Sequence, residues 1–509
     1  MQKQDYDVII IGAGAGGLIS GNFLAQNNHR VLICERHCKP GGYLHGFKRR
    51  GFYFDNGCQS FSSSGVLFPL LKKLDLFDET RFSHSDFRLI TPGLRAPLSS
   101  ITAATRAFTR AFPQETASIE SFFRELDGLI TAVAISTKRQ TSLLENDRTK
   151  ARTMLDWLPR LGNLRRAGKY EKLLATEIID KHFTDETLRA LFSQLGDRNM
   201  SAFCLGDMWH SWFHDYWYPM GGMQALSNRL TDNFIEHGGD MRFRTEVKQI
   251  IVEKGRARGI VTGEGEEIYA PYVISAGDYK QAFTRLIEGK HLSPSWLEKI
   301  KAAPVSETVA TVYLGIDYAP EEMREFMEAQ RVLYYPSCKP VNLDDASNSH
   351  FYEKCNLSIS VPSLCDRSLA PIGQSSVVLQ SPATYDWQKK WRAGKNNNRT
   401  QSYRRLKEKV ADQMIATADD IIPGLAARIQ VIDVATPLTH ELFTGNSGGA
   451  STGWNRDPRL SFIQKKEGEF ATPIENLYAV GHWTFSRGSV AAAALSGKIV
   501  ADTIASRLS

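Results

Sequence analysis

The chain has 509 residues, 42% of them hydrophobic and 23% charged, with 62 Lys and Arg against 56 Asp and Glu. This composition is typical of a globular protein and excludes a disordered chain, and the length predicts two domains with sizeable cores. The net charge of +6 comes from one basic segment. No nucleic-acid-binding motif accompanies that segment, so nucleic acid is not an expected partner.

A buried strand and a glycine-rich turn begin the chain. Four apolar residues, Val8–Ile11, precede Gly12, Gly14 and Gly17, which have the G-x-G-x-x-G spacing. In such a unit the first glycine permits a tight turn, the second lets the backbone approach a pyrophosphate, and the third lets the helix pack close to the strand. The helix N-terminus then offers N–H groups to phosphate. The pattern predicts a dinucleotide-binding turn.

A carboxylate follows the second predicted strand. Residues 31–33 are apolar, and Glu35 follows two positions after Ile33, where a ribose-binding acid is expected. An acid at this position disfavours a nucleotide with a 2′-phosphate. No second strand with a G-x-G-x-x-G turn is evident, so the sequence does not indicate a bound nicotinamide cofactor.

The first strand begins by Tyr6 or Asp7, which leaves no room for a cleaved signal peptide. The longest apolar stretch, residues 8–25, is interrupted by glycines, so hydropathy predicts no membrane span. The seven cysteines are an odd number and include no Cys-x-x-Cys pair, which predicts reduced thiols. We therefore expect a cytoplasmic protein.

The basic segment, residues 148–172, holds eight Lys and Arg against two acidic residues, with Trp157 and several leucines among them. Cations for anionic headgroups and apolar side chains for the interface are what a membrane-surface docking element needs. Pro159 and Gly162 disfavour one long amphipathic helix. The alternative is a solvated basic face over an ordinary helical pair.

Helix and strand patterns alternate through the middle of the chain. Between Ile119 and Val133, apolar residues recur at helical spacing, which is more typical of core packing than of a substrate lining. Residues 308–314 and 375–380 are rich in β-branched residues and predict strands that floor a substrate cavity. A helix is predicted over residues 403–418.

Glycine-containing motifs recur after the first turn. They are Gly41-Gly42 after Glu35-Arg36, residues 51–57 (GFYFDNG), 218–223 (YPMGGM), 246–250 with 259–261 (EVKQI and GIV), 476–481 (NLYAVG) and 496–497 (SG). The spacing of Pro113, Ile119, Phe122 and Phe123 is a further feature of the same kind. Together they resemble the FAD-dependent oxidoreductases of the amine-oxidase superfamily, and most of all its phytoene desaturase, carotenoid isomerase and retinol saturase branch.

The resemblance implies an α/β fold, in which a Rossmann-like, GR2-type FAD-binding domain is assembled from three segments and accompanies an α+β substrate domain. Residues 1–76, 215–300 and 445–509 are the expected parts of the FAD-binding domain. Residues 77–214 are expected to form a mostly helical insertion for substrate binding and membrane docking. Residues 301–444 are expected to be the second part of the substrate domain.

The resemblance also implies FAD as the cofactor. The expected FAD-binding residues are Gly12, Gly14, Gly16, Gly17, Glu35, Arg36, Gly41, Gly42, Gly57, Val247, Gly481, Ser489 and Val490. The helix that begins at Val490 is expected to direct its N-terminus at the N1–C2=O edge of the flavin, where its dipole stabilises negative charge.

Three residues are candidates for catalysis: Arg487, His482 and His210. Arg487 lies where many relatives have a run of glycines, and it pairs with the flavin, the pyrophosphate or a substrate oxygen, or points to solvent. His210 shares a helix face with His214, without the further ligands that a metal site needs. It is a general acid or base near the flavin, or part of aromatic packing between the domains.

The expected reaction is desaturation, saturation or cis–trans isomerisation of C=C bonds in a long apolar isoprenoid or polyene taken from a membrane surface. Oxygen, a quinone or a redox protein is the expected electron partner. One alternative is an amine or amino-acid oxidase on the same fold, with an aromatic cage from residues 209–217. Another is a prenyl-protein carrier of the GDP-dissociation-inhibitor type, which Glu35 and the paired glycines disfavour.

Overall fold

The computed structural model describes residues 5–145, 168–196, 200–338, 348, 350–455, 472–484 and 488–509. In these ranges the strands are β1 (Val8–Ile11), β2 (Val31–Cys34), β3 (Gly46–Arg49), β4 (Phe52–Asp55), β5 (Phe61–Ser62), β6 (Phe82–His84), β7 (Phe87–Thr91), β8 (Leu94–Pro97), β9 (Tyr216–Pro219), β10 (Asp240–Arg242), β11 (Val247–Glu253), β12 (Arg256–Thr262), β13 (Glu267–Tyr269), β14 (Tyr272–Ser275), β15 (Thr308–Ile316), β16 (Arg331–Tyr334), β17 (Leu357–Ser360), β18 (Ser375–Ala383), β19 (Ile429–Ala435) and β20 (Leu477–Ala479).

The α-helices of seven residues or more in the same ranges are α1 (Ala15–Gln26), α2 (Leu67–Lys73), α3 (Ile101–Ala111), α4 (Thr116–Glu145), α5 (Ala175–His182), α6 (Glu186–Gln194), α7 (Ala202–His214), α8 (Met223–Glu236), α9 (Pro294–Ala302), α10 (Pro320–Met327), α11 (Gln401–Ala418), α12 (Pro437–Thr444) and α13 (Val490–Leu508). Among them, none combines the length and the hydrophobicity that a bilayer crossing requires.

A five-stranded parallel sheet contains the predicted first strand. Its order is β10-β2-β1-β14-β20, so its strands come from three separated parts of the chain. The register places Ile9 between Leu32 and Val273, and all three side chains are fully buried. Such continuous apolar strands are expected when helices or further sheets cover both faces of a parallel sheet. Strands β11 and β12, which hold most of the motif residues 246–250 and 259–261, form a separate antiparallel sheet with β13.

Helix α1 packs against α13 through glycines. A Cβ atom on Gly16 would lie 2.7 Å from the backbone nitrogen of Gly481, and one on Gly497 would lie 2.4 Å from the carbonyl oxygen of Gly16. A Cβ atom on Gly17 would lie 2.1 Å from the carbonyl oxygen of Gly12. Since distances this short exclude any side chain, glycine is what lets the first turn contact the C-terminal segment.

A seven-stranded mixed sheet forms the second layer, in the order β19-β15-β18-β17-β16-β7-β8. The predicted strands 308–314 and 375–380 are its β15 and β18, which pair antiparallel. Helix α11 covers one face. Strands β7 and β8 extend this sheet from within the segment 77–214, in which sequence patterns indicated mainly helices. Sequence analysis did not find these strands, because they are too short for an alternating pattern to be recognised.

The helical part of that segment has its own core. Ile119, Phe122, Phe123 and Leu126 on α4 are 0–1% exposed. They pack with α3, α5, α6 and α7 in one apolar cluster. The helical stripe predicted here is therefore core packing.

A buried carboxylate joins the 51–57 motif to the 218–223 motif. Asp55 accepts hydrogen bonds from the hydroxyls of Tyr53 and Tyr218 at 2.7 and 2.5 Å, and from the Met223 N–H at 2.8 Å. Burial raises the pKa of Asp55 to about 6, although these donors act in the opposite direction. Gly222 leaves room for Tyr53, because a Cβ there would lie 2.2 Å from the tyrosine ring.

The seven cysteines all lie within the described residues, and all are free thiols. The prediction of reduced thiols, made from their number and spacing, stays a prediction.

Replacing Gly497 with Ala should destabilise the protein by about 1–3 kcal/mol, because the added methyl group collides with the Gly16 carbonyl and must push α1 and α13 apart. Urea unfolding monitored by circular dichroism measures this. Gly128→Ala is the matched control: Gly128 lies in α4, and its added methyl group would meet no atom within 4 Å. That change should be neutral or stabilise by up to about 1 kcal/mol. Equal stability of the two variants would contradict the helix packing described here.

Candidate functional site

A cavity of about 560 Å³ lies at the carboxyl edge of the parallel sheet, and we call it the central cavity. The last residues of β1, β2 and β14, which are Ile11, Cys34 and Ser275, line it. Ligands of open α/β sheets bind at this edge. The other walls come from β11, the start of β15, α12 and the segment before α13.

The glycine turn forms one wall of the central cavity. Gly12 has a φ of +103°, a conformation that glycine adopts without strain. A Cβ on Gly14 would meet no atom within 4 Å, so this backbone faces open space at the N-terminus of α1. Gly41 and Gly42, with φ of +127° and +58°, cross directly beside it, and the Gly41 N–H donates to the Ala13 carbonyl at 2.8 Å. The turn is shaped to receive a pyrophosphate.

Glu35 is held in one orientation by the backbone. One carboxylate oxygen accepts from the Ala13 N–H and the other from the His37 N–H, each at 2.9 Å. The side chain lines the central cavity and keeps further lone pairs on both oxygens. Ribose hydroxyls can donate hydrogen bonds to those lone pairs.

A second helix N-terminus faces the same cavity. The Ser489 hydroxyl accepts from the Ala492 N–H at 3.0 Å and caps α13, and both Ser489 and Val490 line the cavity. Gly481, with φ of +102°, lies beside them and donates its N–H to the Ser496 hydroxyl at 2.8 Å. The positive ends of α1 and α13 therefore meet at one site, which favours a ligand with negative charge.

Three uncharged rings line another part of the cavity. Tyr43 lies between His440 and His482, with ring centroids 6.3 and 5.8 Å apart. Burial lowers the pKa of each histidine to about 4 and raises that of Tyr43 to about 12. Nδ1 of His440 and Nε2 of His482 are buried without a hydrogen-bond partner in the described part of the chain. These two nitrogens can bind a ligand that enters the cavity.

The structure brings most of the predicted site residues together. Lining the central cavity are Gly12, Gly14, Gly16, Glu35, Arg36, Gly41, Gly42, Gly57, Val247, Gly481, His482, Ser489 and Val490. Gly17 is not among the lining residues. It lies against the Gly12 carbonyl instead, on the side of the turn that packs on protein. His210 lies on α7 with its ring 5.7 Å from that of His214, and it does not line the cavity.

Two predictions lie wholly or mostly outside the described residues. Arg487 is one of them, and residues 148–167 of the predicted membrane-docking segment are the other.

Sequence analysis missed several lining residues. Tyr43 follows the Gly41-Gly42 pair directly, and its position beside that motif was the available signal. His440 and Asp278 carried no motif of their own. Asp278 lines the cavity, caps a short turn by accepting from the Gln281 N–H at 2.8 Å, and has a pKa raised by burial.

Comparison with known proteins identifies the family. Residues 15–353 match the family described as flavin containing amine oxidoreductase. The chain belongs to this family. It is thus an FAD-dependent oxidoreductase, and the resemblance and the cofactor inferred from its motifs are confirmed.

Curated relatives of this flavin-containing amine oxidoreductase match it over nearly its whole length. Prolycopene isomerase from Daucus carota is 24% identical, covering 100% of this chain and 81% of that protein. All-trans-retinol 13,14-reductase from Danio rerio is 24% identical over 98% and 86%. The 4,4′-diapophytoene desaturase of a Methylomonas species is 23% identical over 98% and 95%.

Solved structures confirm the fold. A putrescine oxidase variant superposes with a TM-score of 0.64 at 15% identity, covering 99% of both chains. An oxidoreductase from Methanosarcina mazei gives 0.61 at 16% identity, covering 97% of this chain and 100% of that one. The expected fold class, an α/β FAD-binding domain with an α+β substrate domain, is therefore confirmed.

The central cavity fits FAD. The open backbone at Gly14 and the N-terminus of α1 fit its pyrophosphate, and Glu35 fits its ribose. The N-terminus of α13 and the unpartnered nitrogens of His440 and His482 offer polar contacts for the flavin end.

Gly14→Ala should weaken FAD binding at least about tenfold, because the methyl group occupies the space through which the pyrophosphate approaches. The fold should tolerate the change, since that space holds no protein atom. Titration of the flavin-free protein with FAD, followed by fluorescence, measures the affinity, and the melting temperature without FAD checks the fold. An unchanged affinity would contradict the placement of the pyrophosphate.

Acid should destabilise the flavin-free protein through His440. Its pKa is about 4 in the fold and about 6.5 when unfolded, so stability present above pH 6.5 is lost as the pH falls towards 4. His440→Leu should reduce the fall in unfolding free energy between pH 7 and pH 5 by about 2 kcal/mol. The control is His350→Leu at an exposed position, and urea unfolding at both pH values is the measurement. The same acid loss in wild type and His440→Leu would show that His440 is not buried uncharged.

Proposed function

We propose that this enzyme desaturates, saturates or isomerises C=C bonds of a long apolar isoprenoid or polyene that it takes from a membrane surface. The observation that carries the proposal is the near full-length match to three relatives whose names concern prolycopene, all-trans-retinol and 4,4′-diapophytoene. Each of those compounds is an isoprenoid polyene.

The uncharged rings of the central cavity support an apolar substrate. Tyr43, His440 and His482 are kept neutral at physiological pH by burial, and Gln380 and Thr308 of the seven-stranded sheet lie in the same cavity. A wall of uncharged rings suits a hydrocarbon chain better than a charged wall would, because an uncharged group costs less to desolvate.

FAD, when bound, supplies the hydride chemistry of the reaction. The protein's part is to orient the substrate and to exclude water. In this proposal the N-terminus of α13 stabilises negative charge on the flavin, and His482 packs at the wall beside it. Arg487 as a pairing group and His210 as an acid or base stay predictions.

The proposal also includes the expected domain boundaries, the membrane contact and the electron partner. Residues 1–76, 215–300 and 445–509 form the FAD-binding domain, with 77–214 and 301–444 as the substrate domain. The basic segment 148–172 docks on a membrane surface from the cytoplasmic side, and oxygen, a quinone or a redox protein exchanges electrons with the enzyme.

The positions of Trp209 and Trp212 argue against the aromatic cage that the amine oxidase alternative takes from residues 209–217. Trp209 and Trp212 are 0% and 6% exposed in the core of the helical segment, and neither lines the central cavity. They are therefore not an aromatic cage for a small amine.

The test is to incubate FAD-loaded protein without oxygen with detergent-solubilised prolycopene, all-trans-retinol or putrescine, and to record absorbance spectra. Each substrate is tested with oxidised flavin and with flavin first reduced by dithionite, because saturation consumes two electrons from the flavin. We expect a shift in the spectrum of a polyene, with or without bleaching of the flavin, and no bleaching by putrescine. Gly14→Ala protein, depleted of FAD, is the control and should leave the polyene spectra unchanged. Bleaching by putrescine alone would replace the proposal with the amine oxidase alternative.

A further inference from the structure

Arg331 begins β16 and carries a guanidinium deep inside the protein. Its Nε donates to the Ser358 hydroxyl at 2.8 Å, and its Nη1 donates to the Ser60 hydroxyl at 3.2 Å. The guanidinium also lies over the Phe87 ring, 5.5 Å from its centroid. All three partners are uncharged.

No carboxylate neutralises this cation. Within the part of the chain that the structure describes, no carboxylate oxygen lies within 4.0 Å of Arg331, and its Nη2 has no acceptor. The neighbouring arginines differ, because Arg88 pairs with Glu328 at 2.9 Å and Arg324 pairs with Asp86 at 2.8 Å. Burial lowers the pKa of Arg331, yet a guanidinium stays charged in proteins. An unpaired buried charge is costly unless a ligand completes it.

Water can still reach Arg331. Although protein surrounds it, its side chain is only half-buried, and the same is true of its neighbours Cys58 and Tyr216.

Arg331 lies close to the wall of the central cavity. Cys58 lines that cavity, and its thiol donates to the carbonyl of Ser60, whose hydroxyl contacts Arg331. On the sheet, Gln380 of the cavity wall pairs with Ser358, whose hydroxyl accepts from the Arg331 Nε. Ser358 and Gln380 are one strand spacing apart, about 5 Å, so the guanidinium lies near the cavity wall.

The surroundings of Arg331 are apolar and aromatic. The Phe87 ring contacts Tyr216 at 4.8 Å and Trp212 at 6.4 Å between centroids. Leu333, two residues along β16 on the same face, also packs against this cluster. The result is one cation beside an apolar cluster near the central cavity.

We propose that Arg331 binds the carboxylate of a polyene or isoprenoid acid whose hydrocarbon chain extends into the central cavity. This rests on the proposed function and narrows its substrate class. A planar guanidinium binds a carboxylate through two parallel hydrogen bonds. A diphosphate carries more charge than one cation balances, and Arg88, the nearest arginine on β7, is engaged by Glu328.

The test measures binding and needs no turnover. FAD-loaded protein is titrated with all-trans-retinoic acid and with its methyl ester, which lacks the negative charge and carries one more methyl group, and tryptophan fluorescence reports binding. We expect wild type to prefer the acid by about 10- to 100-fold. Arg331→Gln should bring that ratio close to one, and Arg331→Lys should retain part of it. Arg95→Gln removes an exposed, paired arginine and should leave the ratio unchanged.

Two results would overturn the inference. One is a wild-type ratio near one, which stands whether or not the variants fold. The other is an equal loss of acid and ester binding in Arg331→Gln, which would show that Arg331 only supports the shape of the site.

Phenylalanine added as a competitor separates the inference from the proposed function. If phenylalanine displaced retinoic acid from wild type and bleached the flavin, the carboxylate site at Arg331 would be supported. The same result would contradict the polyene substrate and favour an amino-acid oxidase. We expect no displacement.

Discussion

The structure depends on the close contact of the first glycine turn with the C-terminal segment. Gly16 and Gly497 let α1 and α13 approach until backbone touches backbone, and Gly17 does the same between α1 and β1. Residues from opposite ends of the sequence thereby direct two helix N-termini at one cavity. A single side chain at this crossing would separate the helices and change the shape of the site, because packed interiors transmit such displacements.

The charges of the site follow from this arrangement. One end has the helix N-termini, Glu35 and several basic side chains, and it suits a charged dinucleotide. The other end has rings that burial keeps neutral and walls that belong to the seven-stranded sheet. Arg331 lies beyond them as an isolated cation. A ligand that is apolar along its length and anionic at one end matches that order of polar, neutral and positive surfaces.

The features that could be predicted from the sequence are those that depend on residues close together in the chain. The β1 run, the glycine spacing and Glu35 lie within one strand–turn–helix unit, so their pattern is complete in a short window. Strands β15 and β18 and helix α4 were long enough to show their periodicity. The motif 218–223 was recognised by resemblance, and its physical reason, the hydrogen bonds of Tyr218 and Met223 to Asp55, became visible only in the structure.

The rest depends on contacts between distant residues. His440 meets Tyr43 only because α12 packs beside the glycine pair, and no nearby motif marks it. Arg331 has no distinguishing signal in the sequence, since it is the lack of a nearby carboxylate among the described residues that separates it from Arg88 and Arg324.

The most direct test of the central claim is extraction of the purified protein, with absorbance spectra of the aqueous supernatant and of the lipid-soluble fraction. A flavin spectrum in the supernatant together with a polyene or isoprenoid in the lipid fraction is the predicted result. A colourless supernatant from protein that cannot be reconstituted with FAD would contradict the cofactor site. A flavin without lipid, bleached by amines and not by polyenes, would contradict the polyene substrate.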